Sequence, residues 1–316
     1  MSAPGDPPVD PTGDPRVDAR RGARGARAGA RELGPGRLAL RRLRRDRAAT
    51  AGIVALALVA FACFGLPTLL ALDPETTAPE LHLRAPSADA WLGRDALGRD
   101  VLARVLVGGR TSLLVGVTAT VASVVIGVLY GMVAGFYGGW IDEAMMRLVD
   151  FLYGLPYMFL VILIMLLFDE TARGNPLPVF LALGLVQWLT MARIVRGETR
   201  ALREREFVLA ARTIGASDLR VLLRHVLPNL LGVISVYATL TVPSVILLES
   251  FLSFLGLGVA LSWGRLAAEA VDIVNPIRST WWLLAAPSAF LAVTLLALNF
   301  VGDGLRDALD PRSDAS

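Results

Sequence analysis

The stretch Ala48–Leu72 contains no charged residue. A bilayer core of ~30 Å takes ~20 apolar residues of helix to cross, and every backbone polar group inside it must be paired internally. That one stretch already argues against an ordinary water-soluble architecture. The same length criterion gives six expected spans: Ala48–Leu72, Thr111–Phe136, about Leu148–Phe168, about Asn175–Ala192, Val226–Leu248 and Ser279–Gly302. Residues 250–264 are apolar too, but short and glycine-containing, which suits a re-entrant or interfacial piece. The first span is longer than a signal-peptide core and no small-x-small cleavage site follows it, so a retained helix is expected. The expected fold class is an all-α membrane protein with six transmembrane helices.

Composition narrows the chemistry. The chain is 54% hydrophobic and 19% charged, and all 31 basic residues are arginine. Without lysine there is no P-loop contact to ATP phosphates, no kinase-type lysine and no Schiff base with a carbonyl or PLP. The single cysteine, Cys63, excludes an internal disulfide and cysteine-rich metal sites, and His82 and His225 cannot form a three-histidine metal site. His82 reads as a surface side chain, His225 as packing at a loop and Cys63 as a small core residue. No catalytic, cofactor-binding or metal-binding residue is assigned. An energy source, if the protein needs one, lies elsewhere.

Residues 1–36 are rich in Pro, Gly, Asp, Ala and Arg and poor in large apolar side chains, so a disordered tail is expected. Without aromatics, and with aspartates interspersed, it does not read as a nucleic-acid-binding arm. Six spans place both termini on one side. With the N-terminus inside, inner segments hold 23 arginines and outer segments eight, so both termini are expected in the cytoplasm.

Within the second span, Ser123, Gly127, Gly131 and Gly135 recur every fourth residue and line one helix face, a seam where two backbones can approach in lipid. Arg147 and Asp150 stand i,i+3, a spacing that allows a structural ion pair. Glu249 lies near a membrane edge, where a carboxylate is costly unless solvated or partnered. Capping of the following segment and a gate or cavity-edge role both remain open for it. Uncharged polar residues within the spans, among them Gln187, Thr190, Ser235, Thr239, Thr241 and Thr294, could line a hydrated path, but hydrogen bonding between helices is the default expectation.

The longest hydrophilic segment after the tail is 193–225. Phe207, Ala210, Ala211 and Ile214 recur there at helical spacing, Gly215 is suited to end that helix, and Ser217 or Asp218 can cap the next one. The result is a helix–turn–helix elbow whose small residues would let another protein's groove close around it. Ala210, Ala211, Gly215, Leu227 and Pro228 fall at the spacings of the "EAA" loop of bacterial ABC-importer permeases, which the elbow resembles. Leu209 stands where that family has glutamate. Residues 91–104, 135–142, 249–258 and 302–312 resemble signatures of the dipeptide/oligopeptide/nickel permeases, in the order of the shorter, C-type member of the pair.

The resemblance implies a type-1 ABC-importer permease working by alternating access, with no covalent chemistry of its own. It implies a tail (1–36), a first helix with an outer loop (37–108), a type-1 transmembrane domain (109–304) and a cytoplasmic tail (305–316). Phe207, Ala210, Ala211, Gly215, Ala216, Leu227 and Pro228 would contact the ATPase. The implied partners are a second homologous permease, two cytoplasmic ATPase subunits that hold ATP and Mg, an extracytoplasmic substrate-binding protein and the lipid bilayer of the bacterial inner membrane. The expected cargo is a peptide or a related small solute such as nickel. An ion-coupled secondary transporter would be expected to carry carboxylates near the midplane, which the spans almost lack. A non-transporting membrane scaffold is the other alternative.

Overall fold

Asp46 begins the first membrane-length helix by accepting hydrogen bonds from Ala48 N and Ala49 N, at 2.8 and 3.3 Å. The computed structural model describes residues 41–167, 177–273 and 280–309. The expected tail 1–36, residues 310–316, and the span ends at Phe168, Asn175 and Ser279 lie outside the described residues.

All regular structure among the described residues is helical. Apart from a short 3-10 turn at Pro79–Leu81, the helices in chain order are α1 (Arg47–Leu69), α2 (Val101–Tyr137), α3 (Gly139–Gly154), α4 (Tyr157–Leu167), α5 (Leu177–Arg203), α6 (Glu206–Thr213), α7 (Asp218–Phe254), α8 (Trp263–Val271) and α9 (Trp282–Leu309). Among the described residues α1, α2, α7 and α9 are each long and apolar enough to cross a membrane, and α3 with α4 passes the same test as a bent pair.

The departures from the expected spans have local causes. The second span begins ten residues early, at Val101, because Asp100 accepts from Ala103 N at 3.1 Å and caps the helix outside its apolar stretch. The third span is not one helix. Leu155 is extended (φ −82°, ψ 139°), as the residue before a proline is pushed to be, and α4 leaves Pro156 at 90° to α3. α5 runs past Ala192 to Arg203, so its second half carries Arg193, Arg196, Arg200 and Arg203 beyond the apolar stretch. α7 extends the fifth span at both ends, and residues 250–254 of the expected re-entrant piece are its last turn. α9 continues to Leu309, which places the start of the expected C-terminal tail within a helix.

α2 and α5 form the central pair. On α2, Gly127 meets Met191 and Trp188 O, Gly131 meets Ala192 O, and Gly135 meets Arg196 O, each so closely that an added Cβ would lie 2.5–2.8 Å away. Ser123 is buried on the same face. In lipid, apolar surface alone does not drive helices together, and close packing of small residues supplies the contact. α1 lies against α9, where a Cβ on Gly52 would come within 2.7 Å of Ala297 O.

Both π turns in the chain as described stand immediately before a proline. Leu66 N bonds back to Phe61 O just ahead of Pro67, and Leu227 N to Leu222 O just ahead of Pro228. A proline cannot donate to the carbonyl four residues back, and widening the helix there absorbs the missing bond. Beside Pro228, Asn229 Nδ2 also donates to His225 O at 2.6 Å.

Candidate coupling elbow and cavity

The elbow is closed by a double hydrogen bond. α6 ends at Thr213, Gly215 takes φ +86°, Gly215 N donates to Arg212 O at 2.9 Å and Ala216 N donates to Ala211 O at 3.0 Å. This is a Schellman motif, and its left-handed residue favours glycine. Ser217 is the extended residue before α7, with no side-chain cap, and Asp218 opens the helix.

One face of α6 is anchored. Val208 and Ala211 are buried with Met132 and Phe136 of α2, Met191 and Val195 of α5, and Val221 and Val226 of α7. The other face is open: Phe207 is 42% exposed, Leu209 50% and Ile214 85%. An open groove of about 520 Å³ runs between α6 and the start of α7, lined by Phe207, Ala210, Ala211, Ile214, Ala216, Arg220, Arg224 and His225. Ala211 is therefore a buried floor residue. Leu227 packs on the same core and Pro228 is exposed. Val208, the deepest anchor, was not singled out from the sequence, although its position one turn from Ala211 marks it as facing inward.

Two arginines, Arg212 of the elbow and Arg203 at the end of α5, hold onto α2. Arg212 lies 4.4 Å over the Phe136 ring, and Arg203 donates to Phe136 O at 3.0 Å, satisfying a terminal carbonyl of α2. The end of α2, the end of α5 and the elbow thus share one end of the bundle.

At the opposite end of α2, residues 92–100, which read Leu-Gly-Arg-Asp twice, fold into an ion network. Asp95 accepts from Leu97 N and Arg99 N, both at 2.9 Å, from Arg99 Nε at 2.7 Å and from Arg104 Nη1 at 2.8 Å. Arg104 also donates to Glu269 of α8 at 2.8 Å. The segment pins the loop after α1 onto α2 and α8.

Arg147 and Asp150 do not pair with each other. Arg147 bonds Glu143 on its own helix, and Asp150 takes Arg193 of α5 at 2.6 Å. An i,i+3 spacing permits a pair, but Glu143 at i,i+4 and a facing helix offered better geometry. Glu249 lies within α7 and does not cap the following helix, whose N-cap is Ser262. It is fully buried and borders neither the elbow groove nor the α3–α4 cavity described next. Its carboxyl accepts from Ser253 Oγ at 2.6 Å, Ser112 Oγ at 3.1 Å and Ser250 Oγ at 3.5 Å, and it also bonds Ser262. Ser112 Oγ in turn accepts from Trp263 N, and Ser262 Oγ from Arg265 N, so Glu249 holds the start of α8 against α2 and α7.

A second cavity, about 390 Å³, opens where α3, α4, α5 and α7 meet, with Tyr153, Tyr157, Gln187, Thr190 and Ser244 in its wall. Thr190 bonds between helices, to Tyr153 OH at 2.5 Å. Ser235, Thr239, Thr241 and Thr294 instead bond carbonyls of their own helices, not those of a neighbour as expected.

The described residues form a helical bundle with several apolar spans and an elbow between two of its long helices. Its fold is similar to that of a chain of the MetNI methionine ABC transporter in inward-facing conformations, with a TM-score of 0.50, 19% identity, and coverage of 64% of this chain and 94% of that one. Residues 127–314 match the family described as binding-protein-dependent transport system inner membrane component, and the chain belongs to that family. Residues 34–86 match the N-terminal TM domain of oligopeptide transport permease C. The chain is 46% identical to the oligopeptide transport system permease protein OppC of Escherichia coli K12 over 279 residues, 87% of this chain and 90% of the relative. It is 44% identical to the OppC of Haemophilus influenzae (87% and 88% covered) and 44% identical to the dipeptide transport system permease protein DppC of Bacillus subtilis (87% and 85% covered).

Proposed function

We propose that this chain is the C-type permease half of an ABC importer that carries di- or oligopeptides across the inner membrane. The observation that carries the reading is the elbow: a rigidly closed helix–turn–helix, anchored on its inner face and presenting Phe207, Leu209 and Ile214 outward beside an open groove. Such a feature suits insertion into a cleft of another subunit. The names of the relatives support the peptide as cargo.

In this reading the bundle crosses the membrane six times, with α3–α4 as one broken crossing and the apolar half of α5 as another, and both termini are cytoplasmic. The excess of arginine on the elbow side supports that orientation. Two ATPase subunits, which hold ATP and Mg, close on each other. The elbows of this chain and of a homologous permease turn that closure into a switch between inward- and outward-open states. A binding protein outside the membrane delivers the peptide. Nucleotide shifts the equilibrium because its bound and free forms favour different conformations.

The test is purification in mild detergent followed by reconstitution. ATPase subunits and a second permease should co-purify, and peptide uptake into vesicles should require both ATP and the loaded binding protein. Purification without ATPase subunits, together with uptake that ignores ATP, overturns the proposal.

A further inference from the structure

The break between α3 and α4 is the place to look for a ligand. Interrupted helix at membrane depth is tolerated only where it is buried in protein or lines a water-filled cavity. Here Leu155 and Tyr157, on either side of Pro156, line the cavity of about 390 Å³, a size within the range of ~300–1,000 Å³ typical of small-ligand sites. A second discontinuity adjoins it. Pro243, inside α7, lacks the N–H that would bond Thr239 O, and the next residue, Ser244, is in the cavity wall.

The polar lining is neutral. Gln187 supplies a carboxamide, Thr190 and Ser244 hydroxyls, and Tyr153 and Tyr157 phenols, and no charged residue contributes. The ion pair on the same helices, Asp150 with Arg193, is closed at 2.6 Å, and Arg193 stacks 3.9 Å over the Tyr153 ring. These five polar groups stand among seven apolar side chains, and Ser244 Oγ, which donates to Leu240 O at 3.3 Å, keeps its acceptor capacity; without net charge they match the N–H and C=O groups of a peptide main chain. The lining selects for no charged side chain, which suits cargo of varied sequence.

We propose that this cavity is a hydrated subsite of the translocation path, in which Gln187, Thr190 and Ser244 hydrogen-bond the main-chain amides of the passing peptide. The proposal rests on the peptide-importer reading above.

The test uses the full importer in vesicles, with a cationic methanethiosulfonate reagent and trialanine as probes. Cys63 is fully buried, so the native chain offers little competing reaction. Gln187→Cys and Ser244→Cys should be modified at least tenfold faster than Leu129→Cys, which sits on the exposed apolar face of α2. The triple variant Gln187→Leu, Thr190→Val, Ser244→Ala should take up at least fivefold less trialanine per ATP hydrolysed. Modification no faster than at Leu129→Cys, or triple-variant uptake per ATP within twofold of wild type, overturns the proposal. A wild-type importer that takes up no trialanine overturns the peptide reading itself, and with it the occupant, whatever the labelling shows.

Discussion

Arg196 of α5 grips Asp142 of α3 with two parallel hydrogen bonds, Nε to Oδ1 at 2.7 Å and Nη2 to Oδ2 at 2.6 Å. Asp142 is almost fully buried, so this fork is what makes a carboxylate acceptable at the start of α3. Removing the arginine alone leaves that charge unpartnered. Arg196→Ala is expected to cost on the order of 3 kcal/mol, read as a lowered thermal midpoint of the detergent-purified protein. Arg196→Lys should fall between wild type and alanine, because it keeps the charge and loses the fork. Arg196→Ala combined with Asp142→Asn should recover much of the loss.

The elbow prediction concerns Gly215. Nothing lies within 4 Å of where its Cβ would be, so bulk there projects outward, while its φ of +86° is strained for most side chains. Gly215→Trp should insert into the membrane at the wild-type level yet reduce ATP-driven uptake at least tenfold. Gly215→Asn, which tolerates the left-handed conformation better, should retain most uptake. Wild-type transport by the tryptophan variant would count against docking at the elbow.

The seam between α2 and α5 makes a prediction about folding rather than coupling. A side chain on Gly131 would meet backbone atoms, Ala192 O at 2.5 Å and Arg196 N at 2.9 Å, which cannot move aside as a flexible side chain does. Gly131→Val should exceed the roughly 1–3 kcal/mol of ordinary overpacking and deplete folded protein in a fluorescence-detected size-exclusion profile. Gly197→Ala, where the added Cβ meets nothing within 4 Å, should leave the profile unchanged.

Glu249 separates shape from chemistry. Glu249→Gln keeps an acceptor oxygen and the same volume, and serine hydroxyls can rotate to donate or accept. Its thermal midpoint should stay close to wild type. Glu249→Ala strands several buried hydroxyls and opens a hole, and each stranded group costs about 1–3 kcal/mol. A large fall in midpoint is expected, with the bonds from Trp263 N and Arg265 N weakened alongside.

Features written in short stretches of chain were legible in the sequence. The four-residue spacing of Ser123, Gly127, Gly131 and Gly135 specifies one helix face whatever packs against it. Gly215, five residues after Ala210, announces a helix end through backbone sterics alone. Contacts across the bundle were not legible. Asp150 finds Arg193, and Glu249 finds Ser112, because helices distant in sequence lie side by side. No local spacing encodes such a meeting. The bend at Pro156 lies between: the proline is plain in the sequence, but an apolar run on both sides of it reads equally well as one kinked helix.

The length of α2 has a mechanical consequence. Its 37 residues make a rod about 55 Å long, longer than the membrane is thick. One end carries the Phe136 ring beneath Arg212 of the elbow, and the other carries Arg104 in the network with Asp95 and Glu269. For a rod of that length, a tilt of about one degree at one end displaces the other by about 1 Å. Modest turning of the elbow would therefore be felt at the far surface as whole ångströms, through a single unbroken lever.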